Sequence, residues 1–232
     1  MSTKRYLFAS SKPWHRSLSE NLKQVSQDQI EWAHTPDELE NVISSSSGIR
    51  YIFFLHWNWL VPAAIWNRYE CVCFHMTDVP YGRGGSPLQN LIVRGHTDTV
   101  LTALRMVDEM DAGPVYRKQP LSLEGTAREI YLRAGELSFE LVDWMVANEP
   151  EPVKQRGEPV LFKRRKPSQS KLPITGSLKQ VYDHVRMLDA PTYPHAFLDY
   201  GQFRMEFSDA RLDDQEVTAT VRIYRRSEQE NL

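Results

Sequence analysis

Tyr51-Ile52-Phe53-Phe54-Leu55 is the stretch on which the fold turns: five apolar or aromatic residues with no polar residue at alternate positions. A strand with one wet face alternates polar and apolar residues, so an unbroken run marks a strand covered on both faces. Glu70-Cys71-Val72-Cys73-Phe74 repeats the pattern, as does Tyr6-Leu7-Phe8-Ala9 near the start, and Ile30 to Ala33 reads as a short further strand. Helical signals lie between these runs. Ser10-Ser11-Lys12-Pro13 breaks the first strand, and a helix is expected from Pro13 to about Val25. Thr35-Pro36-Asp37-Glu38 is a helix start: Thr35 caps, Pro36 suits the first turn and Glu38 completes a capping box, with Ser44 to Gly48 as the stop. Pro62 to Arg68 offers one or two turns, Ser86 to Val93 a helix, and Val100 to Met106 and Val115 to Leu121 strands. From Thr126 to about Ala147, Ile130, Ala134, Leu137, Leu141 and Trp144 recur at spacings of three and four, the stripe of an amphipathic helix. Strands alternating with helices predict an α/β fold: a Rossmann-like, mostly parallel sheet with helices on both faces.

After Asn148 the pattern changes. Pro150, Pro152, Pro159, Pro167 and Pro173 and the basic run Lys163-Arg164-Arg165-Lys166 read as an extended surface connector, the basic run as a solvated face. Ser177 and Gln180 then open a helix to about Leu188, and Phe203 to Phe207 and Thr218 to Tyr224 alternate like antiparallel strands. The expected organisation is a main domain over 1–148, a connector over 149–173 and a small C-terminal α+β appendage over 174–232. The 232 residues are 41% hydrophobic and 25% charged, which excludes wholesale disorder. A net charge of -2 argues against a nucleic-acid binder driven by bulk charge. No apolar run reaches the ~20 residues needed to span a bilayer, and the N-terminal apolar stretch is too short for a signal peptide. A disulfide between Cys71 and Cys73 is not expected, and the chain reads as a soluble, cytoplasmic protein.

The first strand does not end in G-x-G-x-x-G, which argues against a nicotinamide or flavin site. There is no P-loop, no G-x-S-x-G elbow and no H-E-x-x-H pair, and no metal site is expected. What stands out is Cys71-Val-Cys-Phe-His75-Met-Thr-Asp-Val-Pro80-Tyr-Gly-Arg-Gly-Gly85-Ser-Pro-Leu-Gln89. A buried strand ends in a histidine, and a glycine-rich loop leads into a helix. Ligands of parallel sheets gather beyond the carboxyl ends of the strands, so His75 is delivered to that rim. An imidazole there either exchanges protons near neutrality or merely closes the strand with a hydrogen bond, and the segment alone leaves both open. Asp111, ahead of Gly113 and Pro114, is either a solvated turn carboxylate or the partner of an imidazole.

Taken together, these segments resemble the folate-dependent formyltransferase family. Its pattern runs Asn-x-His, Leu-Pro, a basic residue with glycines, Pro-hydrophobic, and Asp-x-Gly. It stands here as Cys73-Phe74-His75, Val79-Pro80, Arg83-Gly84-Gly85-Ser86-Pro87-Leu88-Gln89 and Asp111-Ala112-Gly113. Leu55 to Pro62 takes the place of the strand and loop beside the folate. Val181 to Leu188 with Tyr193-Pro194-His195-Ala196-Phe197 looks like the opening of the family's C-terminal domain. The likeness covers most of residues 50–200. One position departs: Cys73 stands where the family has Asn. A thiol is a poorer donor than an amide toward a developing oxyanion, and losing one such donor can cost ~10²–10³ in rate. Asn58 and Asn90 are the amides to inspect as replacements.

The resemblance implies 10-formyltetrahydrofolate as donor and a primary amine as acceptor, with no metal. His75, Asp111 and Cys73 become the candidate catalytic residues. His75 would take the amine proton or steady the oxyanion, and Asp111 would orient it. Folate is expected against Trp57, Asn58, Trp59, Leu60, Val61, Met106 and Asp108. The acceptor is expected against Ser10, Ser11, Lys12, Trp14, Arg83, Gly84, Gly85 and Gln89. From the residues alone, Trp57 and Trp59 serve equally as packing aromatics, and Ser10 to Trp14 as a capped helix start. The C-terminal pattern is most similar to the branch that formylates amino-deoxy sugars on nucleoside diphosphates, and the acidic balance and short tail agree. The expected partners are a nucleotide-linked amino sugar and the folate donor, with neither nucleic acid nor membrane, and a homodimer through the C-terminal strands. The alternatives are a methionyl-tRNA formyltransferase-like enzyme, a formyltetrahydrofolate hydrolase and a non-catalytic binding module.

Overall fold

Each apolar run becomes a strand in the computed structural model, which describes residues 4–226. In chain order the elements are β1 (Arg5–Ala9), α1 (Trp14–Leu18), β2 (Ile30–Ala33), α2 (Pro36–Ser45), β3 (Ile49–Phe54), α3 (Ala63–Trp66), β4 (Cys71–His75) and β5 (Tyr81–Gly84). Then follow α4 (Pro87–Val93), β6 (Asp98–Arg105), β7 (Val115–Ser122), α5 (Ala127–Asn148) and β8 (Val160–Phe162). The chain ends with α6 (Leu178–Arg186), β9 (Ala196–Tyr200), β10 (Phe203–Leu212) and β11 (Val217–Arg225). The main sheet has six strands in the order β2-β1-β3-β4-β6-β7. β1 pairs in parallel with β2 and β3, and β3 with β4, while β6 runs antiparallel to β4.

The missing polar alternation has a direct cause. Successive strand residues point to opposite faces. Leu7 and Ala9 pack with Ala33, Ile52, Phe54, Leu39 of α2 and Ile65 of α3. Phe8, between them, faces the other way and meets Trp32, Phe53 and Phe139 of α5. Helices therefore cover both faces. At the start of α2 the Glu38 N–H donates to Thr35 Oγ1 (3.2 Å) and the His34 N–H to Glu38 Oε2 (2.8 Å). Such a cap contributes about 1 kcal/mol.

Two expectations change. The first helix stops at Leu18 and gives way to a 3-10 turn at Ser19–Asn21, well short of Val25. The backbone N–H groups of Lys23 and Gln24 donate instead to the Asp143 carboxylate on α5, an acceptor that local sequence does not reveal. The glycine-rich loop after His75 is in part a strand, β5, paired with β8 inside the proline-rich stretch. The Val160 N–H closes this ribbon on Pro80 O at 3.0 Å.

The described residues fall into two compact units. The first runs to Gly84 and adds Thr99–Leu121 and Leu132–Leu161. It holds the six-stranded sheet. The second comprises Gly85–Asp98, Ser122–Tyr131 and the chain from Phe162 onward. In it α6 packs on the antiparallel sheet β11-β10-β9. Buried Arg186 ties that unit together, donating from Nη1 to Leu123 O (2.6 Å) and Gly125 O (2.8 Å). Among the described residues no helix is long and apolar enough to cross a membrane.

Candidate active site

β4 delivers His75 to its carboxyl end, 8% exposed. Its Nε2 lies 2.8 Å from Gly82 O, and Thr77 Oγ1 donates to the same carbonyl at 3.3 Å. A carbonyl only accepts, so Nε2 carries the ring proton, and the neutral imidazole keeps its lone pair on Nδ1. Nδ1 faces Asp111 Oδ2 at 3.6 Å. That oxygen accepts the Gly84 N–H at 2.9 Å. β5 thus holds the imidazole through the carbonyl of one glycine and the carboxylate through the amide of another. The Nδ1 lone pair therefore points toward a carboxylate oxygen rather than toward a donor.

Asp111 sits at φ 54°, in the left-handed region that Asp tolerates better than most residues. Gly113 is required for a different reason: a Cβ there would lie 1.7 Å from Arg105 O. Behind the turn lies a clamp. Arg83 donates from Nε (3.0 Å) and Nη2 (2.9 Å) to Gln155 Oε1, and from Nη1 (3.0 Å) to Glu109 Oε1. Gln155 Nε2 donates in turn to Asp111 O (2.7 Å) and Gly113 O (2.8 Å). Neither Gln155 nor Glu109 carries a sequence signal. One is a polar residue in a proline-rich stretch, the other a turn carboxylate.

Cys73 lies two residues before His75. Its thiol donates toward Leu104 O at 3.8 Å, and burial together with the charge of Asp111 pushes it well above the ordinary thiol range. Burial raises Cys71 to about 12. Both cysteines are free, and both stay protonated at neutral pH.

The loops after β3 and β6 carry the expected folate contacts. Trp57, Val61 and Met106 pack against the core, whereas Trp59 and Leu60 are exposed. The Trp57 and Trp59 rings meet edge-on at 4.9 Å. Asn58 and Asp108 are exposed. A half-sunk aromatic pair beside an exposed Leu60 is a surface suited to a flat, partly apolar ring.

The loop after β1 gathers basic groups. Lys12 is buried, and burial lowers its ammonium. Burial and then the Lys12 charge lower His15 to about 4; the same causes, with His15 added, lower His56 to about 3. Ser10 Oγ lies 2.6 Å from His15 Nδ1, and Ser11 Oγ donates to His56 O at 2.6 Å. The Trp14 indole N–H has no acceptor among the described residues.

The remaining expected contacts lie in the second unit. Gly85 is crossed by the backbone of Arg164, 2.7 Å from where a Cβ would sit. Buried Gln89 donates to Tyr131 Oη (3.1 Å) and Met187 O (3.0 Å). The Asn90 amide is committed to Gly85 O, Ser86 O and Lys163 O.

Residues 167–224 match the family described as Methionyl-tRNA formyltransferase, C-terminal domain. The chain is 37% identical to a solved methionyl-tRNA formyltransferase from Clostridium thermocellum, over 96% of this chain and 100% of that one, with a TM-score of 0.90. It is 28% identical over 162 residues to the methionyl-tRNA formyltransferase of Bacillus thuringiensis (strain Al Hakam), covering 66% of this chain and 51% of that protein. The chain thus spans about half the length of the curated relatives it matches. A sugar N-formyltransferase from Shewanella shares the fold, at 15% identity over 85% of this chain and 93% of that one, with a TM-score of 0.66.

Proposed function

The chain belongs to the formyltransferase family, and from that premise we propose that it moves a formyl group from 10-formyltetrahydrofolate to the primary amine of a nucleotide-linked amino sugar, in the cytoplasm. The observation that carries the reading is the mostly buried pair of His75 Nδ1 and Asp111 Oδ2, 3.6 Å apart, with Nε2 already committed to Gly82 O.

The folate donor supplies a formyl carbon bonded to nitrogen. A neutral amine forms a C–N bond to that carbon, and its nitrogen must then shed a proton. His75 Nδ1 is the lone pair available to take it, and Asp111 stabilises the resulting imidazolium. The tetrahedral carbon next releases the folate nitrogen, which departs carrying the proton handed back by the His75 imidazolium. The products are the formamide and tetrahydrofolate. Trp57, Trp59 and Leu60 offer the pterin ring its surface, with Asn58, Val61, Met106 and Asp108 around it. Arg83 acts from behind Asp111, and Gly84 acts through its amide. Cys73 supplies no nucleophile. As a weak donor turned to Leu104 O, it leaves the oxyanion less supported than an amide would.

Two features favour a sugar nucleotide. The Lys12 ammonium and the Trp14 indole N–H, which has no acceptor among the described residues, form with Ser11, His15 and His56 beside them a cluster suited to phosphate and a stacked base. The net charge of -2 suits a small anionic acceptor better than a polyanion. A second reading, methionyl-tRNA as acceptor, is favoured by the match over residues 167–224 and by the names of the relatives. Mass spectrometry of a panel of nucleotide-linked amino sugars, incubated with the formyl donor, separates the readings when charged initiator tRNA is run alongside. One formyl group gained by one sugar supports the proposal. Formylation of the tRNA alone overturns the acceptor, acceptor-free folate release identifies a hydrolase, and binding without turnover identifies a module that has lost activity.

A further inference from the structure

We propose that Gln155 is a positioning residue for the His75–Asp111 pair, holding the Asp111 turn so that its carboxylate faces the imidazole. The inference rests on the formyl-transfer reading of that pair.

The Asp111 backbone occupies a left-handed conformation, which costs free energy even for Asp and is held here by its surroundings. The enforcing group is the Gln155 carboxamide, whose two N–H bonds reach Asp111 O and Gly113 O, one on each side of Ala112. The amide cannot turn over. Its oxygen accepts two N–H groups of the Arg83 guanidinium, and a flip would set NH₂ against that cation. Arg83 is 9% exposed and lies between Gly82, which holds His75, and Gly84, which holds Asp111. A closed ring results: Gly84 N–H to the Asp111 side chain, Asp111 carbonyl to Gln155, Gln155 to Arg83, and Arg83 back to Gly84 through the chain. Small displacements of reacting groups cost large factors in rate, so a ring that fixes Asp111 at both its backbone and its side chain bears directly on the proton transfer.

Gln155→Glu discriminates. It preserves size and the contact with Arg83 but puts an acceptor where the two carbonyls need a donor. Two readouts are taken: steady-state formyl transfer, and the ring ¹⁵N signals of His75, assigned by their loss in His75→Gln. The expected result is a fall in kcat of about tenfold or more with the acceptor KM unchanged. The His75 signals should move toward those of Asp111→Asn. If Gln155→Glu fails to fold, Gln155→Ala, which removes the donors without adding repulsion, carries the same expectation. Wild-type kcat together with unmoved His75 signals overturns the inference, as does a change confined to KM. Should the wild-type protein transfer no formyl group, the functional reading falls separately, and the His75 signals still decide the role of Gln155.

Discussion

Asp111→Asn is the sharpest perturbation the site offers. Asparagine keeps an oxygen to accept the Gly84 N–H, so the turn stands and only the charge goes. With 3.6 Å between Nδ1 and Oδ2 and an effective dielectric constant of about 20, the gross attraction for a proton on Nδ1 is roughly 4–5 kcal/mol. Both side chains are mostly buried, 10% and 14% exposed, so solvent screening removes little of it. The cost of desolvating the ion pair offsets about half, leaving about 2 kcal/mol, or roughly thirtyfold in rate. The assay is tetrahydrofolate formation at saturating donor and acceptor, with thermal unfolding as the check on integrity. A kcat within about threefold of wild type, in a folded Asp111→Asn protein, refutes the assignment of Asp111 as the group that stabilises the imidazolium.

Gly113→Ala should destabilise the protein by roughly 3 kcal/mol or more in chemical denaturation, because the new Cβ meets the Arg105 carbonyl and neither backbone can yield. Stability should fall as pH drops below about 6.5, at up to about 1.4 kcal/mol per pH unit for each of His15 and His56. Their folded-state values are lowered to about 4 and about 3, so their contribution is complete above the unfolded value and is lost as pH falls through the folded one. His15→Gln should flatten that acid limb; an unchanged slope contradicts the environment assigned to it. Cys71 and Cys73, both raised by burial, should resist iodoacetamide in the native protein at about pH 8.5 and react only on unfolding. Native labelling at the rate of an ordinary thiol would contradict their placement.

The sheet was legible because unbroken apolar runs have one cheap explanation. Tyr51 to Leu55 and Cys71 to Phe74 report two covered faces, and the helices that cover them announce themselves through Thr35 and Glu38 and through the stripe from Ile130 to Trp144. What stayed hidden depends on partners distant in the chain. The first helix ends early because Asp143 takes the N–H groups of Lys23 and Gln24, more than a hundred residues away. The glycine loop becomes β5 because Val160 to Phe162 pairs with it, and nothing in a proline-rich stretch signals that pairing. In the site, His75 and Asp111 stood out through motif and order. Gln155 and Glu109 did not, since a clamp residue needs only a polar end at the right place and leaves no pattern behind. Arg83 and Gln89 were visible as residues but not as contacts: a guanidinium or an amide binds a ligand or its own chain equally well, and only the fold decides. Here both groups are engaged internally.

Acceptor-dependent release of tetrahydrofolate, compared between the wild-type protein and His75→Asn, measures the central idea most directly. The account predicts steady release by wild type only when an amine acceptor is present. In His75→Asn it predicts release lost to the background level, with calorimetric binding of the folate donor retained. Wild-type rates in His75→Asn would show that the imidazole takes no proton in the reaction, and the account would be contradicted at its centre.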